Sequence, residues 1–174
     1  MQPLRSLTSQ STVPTLIRAR AQEIPDRIAL LDDRRTMTYA ELGARVASLA
    51  RELRERGRKA DDRALLFLDA NAGIDGTILC LAAMCAGTAI VLDASAPPAW
   101  RERMVARIKP GVIISRHDLG HDAAAPLALQ YADGPILPGR EEYKRDVRSE
   151  IADPSPETVA LVLATSGTTA EPRL

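Results

Sequence analysis

Aromatic residues are nearly missing from this chain, which has one Phe, one Trp and three Tyr among 174 residues. Its core must therefore be filled mostly by Leu, Ile, Val and Ala. Excess charge is missing too: 23 Lys and Arg balance 23 Asp and Glu, so nothing in the total favours nucleic acid or an anionic membrane as partner. Long hydrophobic runs are absent. The longest uncharged apolar run, residues 78–86, is less than half of the roughly 20 residues a membrane-spanning helix needs. Residues 1–12 contain no apolar h-region, which excludes a secretory signal there and leaves them as a mobile leader. Cysteine is scarce. Cys80 and Cys85 would stand about 140° apart around a helix, too far round for a disulfide or a zinc pair, so both read as small core hydrophobes in a reducing, cytoplasmic setting. A Walker-type phosphate loop is also excluded, because Gly-x4-Gly-Lys-Ser/Thr occurs nowhere.

What is present is ordinary for one soluble α/β domain: 45% hydrophobic and 26% charged residues, enough for a real core and too apolar for a disordered chain. Val13, Leu16, Ile17 and Ala21, with Pro14 in the first turn, predict a helix over 13–23. Two short extended runs, 28–31 and 36–38, flank the polar Asp32-Asp33-Arg34-Arg35 and predict a hairpin. Thr38 and Glu41 make a Thr-x-x-Glu capping box. The helix they open, 39–56, places Leu42, Val46, Leu49, Ala50 and Leu53 on one face and stops at Gly57. Its arginine-rich opposite face reads as solvated and salt-paired.

Residues 63–68 are apolar without alternation, as in a parallel strand buried on both sides. A nearly all-apolar helix, 73–86, follows, then a strand at 88–92, a helix at 99–109 and a strand at 112–114. This β-α-β-α-β rhythm predicts a layered, mostly parallel sheet flanked by helices. Residues 127–131 read as a short strand and 132–156 mostly as loop. Residues 159–164 read as a final buried strand, feeding a segment at the carboxyl edge of the sheet, where ligands of open parallel sheets bind.

That segment, Thr165-Ser166-Gly167-Thr168-Thr169-Ala170-Glu171-Pro172-Arg173, is rich in small hydroxyl donors, has a glycine and ends on a fixed positive charge. Such groups can surround phosphate oxygens. On composition alone they are also the material of an ordinary turn. Their order decides between the two, because it resembles the nucleotide-binding signature Ser-Gly-Thr-Thr-Gly-x-Pro-Lys of the adenylate-forming superfamily of acyl-CoA synthetases, aryl acid ligases, peptide-synthetase adenylation domains and luciferases. Ala170 stands where that family usually has glycine, and Arg173 where it has lysine. Alanine tolerates positive φ less well than glycine, and arginine keeps the charge as a planar fork.

Earlier residues extend the resemblance. Thr38-Tyr39-Ala40-Glu41-Leu42 is similar to the family's Thr-Tyr-x-Glu-Leu, and residues 57–63 to its Gly-Val-x-x-Gly-Asp-Arg, with Arg58 and Asp61 replacing valine and glycine. The run from Ala83-Met84-Cys85-Ala86-Gly87 to Val91-Leu92-Asp93 is similar to its Lys-Ala-Gly followed by Val-Pro-Leu-Asp. The resemblance implies an incomplete N-terminal subdomain of the adenylate-forming fold over 13–174. In the complete enzyme a carboxylic acid attacks the α-phosphorus of ATP with Mg2+, and a thiol acceptor, CoA or a carrier protein, then takes the acyl group; in this chain alone ATP binding is expected to be weak or absent. Here Thr165, Ser166, Gly167, Thr168, Thr169, Ala170, Glu171, Pro172 and Arg173 would hold the phosphates. No catalytic residue and no metal ligand is assigned, since the family's acyl pocket, metal-binding acid, hinge and catalytic lysine lie beyond this motif.

Two functional readings follow. The first is an N-terminal fragment of a carboxylate-activating ligase, inactive alone and associating through an exposed sheet edge. The second is a free-standing, non-catalytic nucleotide- or protein-binding module of the same descent. A third idea, zinc at His117 and His121 with Asp118 and Asp122, is weighed against a solvated loop, and Gly120 and the missing third ligand favour the loop.

Overall fold

The structure, a computed structural model, describes residues 12–55, 62–69, 71–115, 128–130, 157 and 159–163. Helix α1 (Val13–Glu23) opens on Thr12, whose backbone is extended and whose hydroxyl accepts the N–H of Thr15 at 3.3 Å. Thr12, which the sequence put in the leader, is thus the cap of the first helix.

Strands β1 (Ile28–Leu31) and β2 (Thr36–Thr38) pair antiparallel, with an irregularity between Ile28 and Leu30. The turn between them is organised by Asp32, whose Oδ1 accepts the backbone N–H groups of Arg34 and Arg35 at 3.0 and 2.9 Å. Helix α2 (Tyr39–Glu55) starts with the expected capping box. The Thr38 N–H donates to Glu41 Oε2 at 2.9 Å and the Glu41 N–H to Thr38 Oγ1 at 3.3 Å. Its five apolar positions are all buried.

Then come β3 (Arg63–Leu68), α3 (Gly73–Ala86), β4 (Thr88–Asp93), α4 (Pro98–Ile108), β5 (Val112–Ser115), β6 (Ala128–Gln130) and β7 (Leu161–Leu163). The last five strands form one sheet in the order β6-β5-β3-β4-β7, every pair parallel. Side chains alternate across it. Ala64 and Leu66 of β3, Ala89 of β4 and Val112 and Ile114 of β5 meet α1, α2 and α3 on one face. Leu65 and Phe67, Ile90 and Leu92, and Ile113 meet Met104, Ile108 and Trp100 of α4 on the other. Both faces of β3 are covered, which is why its sequence shows no polar alternation. Gly87, at φ 150°, turns α3 into β4, and Lys109 in a left-handed conformation closes α4.

Two expectations need correction. The strand predicted over 159–164 as buried is β7, and it lies at the rim: Leu161 is 37% and Leu163 62% exposed. Among the described residues its only strand neighbour is β4; Val162 packs against the α4-side core and Ala160, just before the strand, against the other. Cys85 is buried as expected, but Cys80 is half-buried, and burial still raises its thiol pKa. The two cysteines form no disulfide.

Candidate functional site

Parallel strands end together, so the sheet has one carboxyl rim. Register puts Leu68 of β3 beside Asp93 of β4, Phe67 beside Ser115 of β5, Ser115 beside Gln130 of β6, and Val91 beside Leu163 of β7. The rim is polar where the chain turns away from it. Asp69 Oδ1 accepts the Asn71 N–H at 2.8 Å, and Asp93 Oδ1 the Ser95 N–H at 2.8 Å. The Ser95 backbone N–H, and after it the Ser95 hydroxyl, hold the Asp93 carboxyl below its ordinary range. Ser115 is the buried polar residue at the rim.

Helix N-termini at such a rim attract anions. At α3 that position is filled from within the chain. Ala72, in the N-cap position, has no side chain to offer, and Asp32 Oδ2 accepts the Ile74 N–H at 3.2 Å. Arg35 Nη2 meets Asp75 Oδ1 at 2.5 Å and ties the hairpin to the first turn of the same helix. Helix α4 begins with Pro98, whose nitrogen carries no proton, and Pro97 precedes it. Neither helix therefore presents a full set of unoccupied N–H donors to a phosphate.

The sequence-assigned site residues Thr165, Ser166, Gly167, Thr168, Thr169, Ala170, Glu171, Pro172 and Arg173 lie outside the described residues, and so do His117 and His121. What is described is the strand leading to the segment. The Ala89 N–H donates to the Ala160 carbonyl at 2.9 Å and the Thr88 hydroxyl to the Val159 carbonyl at 2.7 Å. These bonds set β7 parallel to β4 and aim the chain at the carboxyl rim. Asp32 is the contributor that sequence reasoning missed. Its signal was indirect, since α3 begins without Ser, Thr, Asp or Asn at its cap and so needs an acceptor from elsewhere.

Comparison with known proteins adds three findings. The family model of AMP-binding enzymes matches residues 17–174. Gramicidin S synthase 2 of Brevibacillus brevis is 26% identical over 160 residues, 91% of this chain and 3% of that synthase. The chain spans only a small part of the curated relatives it matches: 12% of glycine betaine reductase ATRR of Emericella nidulans, at 29% identity over 158 residues and 86% of this chain. Among solved structures, the N-terminal subdomain of Klebsiella oxytoca NpsA superposes with a TM-score of 0.73 at 22% identity, covering 94% of this chain and 41% of that one. This last likeness concerns the fold.

Proposed function

Because the chain belongs to the AMP-binding enzyme family, we propose that it is the N-terminal part of an adenylation domain, and that the segment Thr165–Arg173 grips the β- and γ-phosphates of ATP. The observation that carries this reading is β7. A parallel strand hydrogen-bonded to β4 runs toward the rim where the other strands end, and in the sequence the hydroxyl-rich run begins two residues after it.

The donor set fits the ligand. Ser166, Thr168 and Thr169 supply hydroxyls, Gly167 allows close backbone approach, and Arg173 offsets phosphate charge. Mg2+ enters as the companion of ATP, and the acid substrate and thiol acceptor, CoA or a carrier protein, belong to the complete enzyme. The task of this segment is to position the polyphosphate and neutralise it, which requires no general base. In the complete protein that placement holds the α-phosphorus for attack by a carboxylate, with pyrophosphate as leaving group.

A cytoplasmic setting suits a nucleotide ligand and two cysteines outside any disulfide. No helix among the described residues is long and apolar enough to cross a membrane.

Two measurements test the reading. Titration calorimetry should show weak ATP binding by the 174-residue chain and none in Arg173→Ala with Thr168→Ala. Pyrophosphate exchange by the chain alone should stay at background, whatever carboxylic acid is supplied. Unchanged ATP binding in the double variant would remove the segment from the site, and robust exchange would show that these residues suffice for adenylation.

A further inference from the structure

Strand β7 is three residues long, and its side chains say little about where it must start. Val162, opposite Ile90, packs against the cluster on the α4 side. A slip of two residues along β4 keeps every side chain on its own face and brings Ala160 or Ala164 to that place, each apolar as well. The backbone ladder is blind to such a slip, because every residue offers the same N–H and C=O. The displacement is nevertheless large, about 7 Å for two residues of strand.

One contact is sensitive to it. The hydroxyl of Thr88, the first residue of β4, donates to the Val159 carbonyl at 2.7 Å, across seventy-one residues of chain. The N–H of Ala89 donates to the following carbonyl, that of Ala160, at 2.9 Å. In an extended strand successive carbonyls point to opposite sides. Two in a row turned to β4 therefore place a bend at Val159 and Ala160, and regular pairing starts at Leu161. The backbone N–H of Thr88 is not free for this task, since it donates to the Asp62 carbonyl at 3.4 Å, on the side of β3. Its hydroxyl is the second donor that residue 88 needs to hold a strand on each side. A slip of β7 would have to carry the bend along the chain and give up this bond.

We propose that Thr88 is a positioning residue for the nucleotide: its hydroxyl fixes where β7 begins, and so how far along the sheet the run starting at Thr165, two residues after Leu163, is set. The proposal rests on the reading of that run as the phosphate grip. The pairing of β7 is measured without nucleotide, so the two readings fail separately.

The test is nuclear magnetic resonance on the isotopically labelled 174-residue chain. Thr88→Val keeps the branched shape and removes the hydroxyl, and Thr88→Ser keeps the hydroxyl. In wild type a single set of cross-strand Overhauser contacts should pair Ile90 with Val162 and Val91 with Leu163. Thr88→Val should weaken that set or add a second one shifted by two residues. Its thermal midpoint should change little, because Val159 is 57% exposed and its carbonyl can turn to water. Thr88→Ser should restore the single set. Titrated with MgATP and followed through the Val162 and Leu163 amides, Thr88→Val should bind about fivefold more weakly than wild type, as the loss of one hydrogen bond implies, and Thr88→Ser should match wild type. Unaltered contacts in Thr88→Val overturn the proposal whatever its affinity. Altered contacts that Thr88→Ser fails to restore also overturn it, since they assign the effect to the methyl group, as do altered contacts with undiminished ATP binding. A wild-type chain whose amides do not respond to MgATP strikes the phosphate reading instead, and the cross-strand contacts alone then uphold or overturn the role of the hydroxyl in placing β7.

Discussion

Asp32 Oδ2 accepts a hydrogen bond from the backbone N–H of Ile74 at 3.2 Å, across forty-two residues of chain. One carboxylate thereby does two jobs. Through Oδ1 it shapes the β1–β2 turn by accepting from Arg34 and Arg35, and through Oδ2 it caps a helix that has no cap of its own.

The Arg34 N–H foremost, with those of Arg35 and Ile74 and the charge of Arg35, holds the Asp32 carboxyl below its ordinary value of 3.8. A carboxylate depressed in the folded state adds stability above its unfolded pKa and loses it as pH falls through the folded value. Asp32→Asn should therefore lower the thermal midpoint at pH 7 by a few degrees, a modest effect because the group is open to solvent. The gap from wild type should close as pH falls below the ordinary carboxylate range. A gap that holds constant into that range would show that ionisation of Asp32 is not what matters.

Gly73 is the second half of this arrangement. It sits at φ +50°, and a Cβ built on it would lie 3.0 Å from Asp32 Oδ2. Gly73→Ala should cost about 1 kcal/mol for the left-handed backbone alone, with a further loss from displacing the capping carboxylate. Urea unfolding of Gly73→Ala, Asp32→Ala and the double variant measures this, and the combined loss should fall short of the sum of the two singles. Strict additivity would separate the two residues.

Phe67 is the one phenylalanine of the chain and is fully buried between β3 and α4, in a cluster with Leu65, Ile90, Leu92, Met104, Ile108 and Ile113. The other aromatic ring at this cluster, Trp100, is only partly buried against it. Phe67→Ala should destabilise by about 3–5 kcal/mol, while Phe67→Leu should cost less than half as much. Equal losses would mean that the cavity closes by repacking.

Where the determinants of structure are local, the residues announced them. The Thr38 and Glu41 box marks the start of α2, and the unbroken apolar run of β3 follows from helices on both faces. The misreadings concern neighbours distant in sequence. Val-Ala-Leu-Val-Leu looks the same whether a strand is interior or terminal, and only the sheet order exposes Leu161 and Leu163. Asp32 reads as a turn residue, since nothing near it says that α3 will arrive with Ala72 at its cap. The order of hydroxyls, glycine and charge singles out residues 165–173 in the sequence, but they lie outside the described residues. The fold itself contributes the carboxyl rim at which β7 ends and an α3 N-terminus already occupied by a carboxylate.

Ala170 is the residue of that segment whose chemistry is most open to change. The family signature that the segment resembles has glycine there, and glycine enters left-handed backbone without the steric cost an alanine carries, about 1 kcal/mol or more per residue. If the segment must adopt such a turn to close on phosphate, Ala170 taxes every binding event by that amount. Ala170→Gly should then tighten ATP binding about fivefold, as 1 kcal/mol in binding free energy implies. Arg173→Lys should change it less, since the charge remains. Calorimetric titration of the two variants against wild type decides the matter. Weaker binding by Ala170→Gly would mean that residue 170 keeps an ordinary right-handed or extended backbone, so that extra freedom in the unbound segment is the only effect of the glycine.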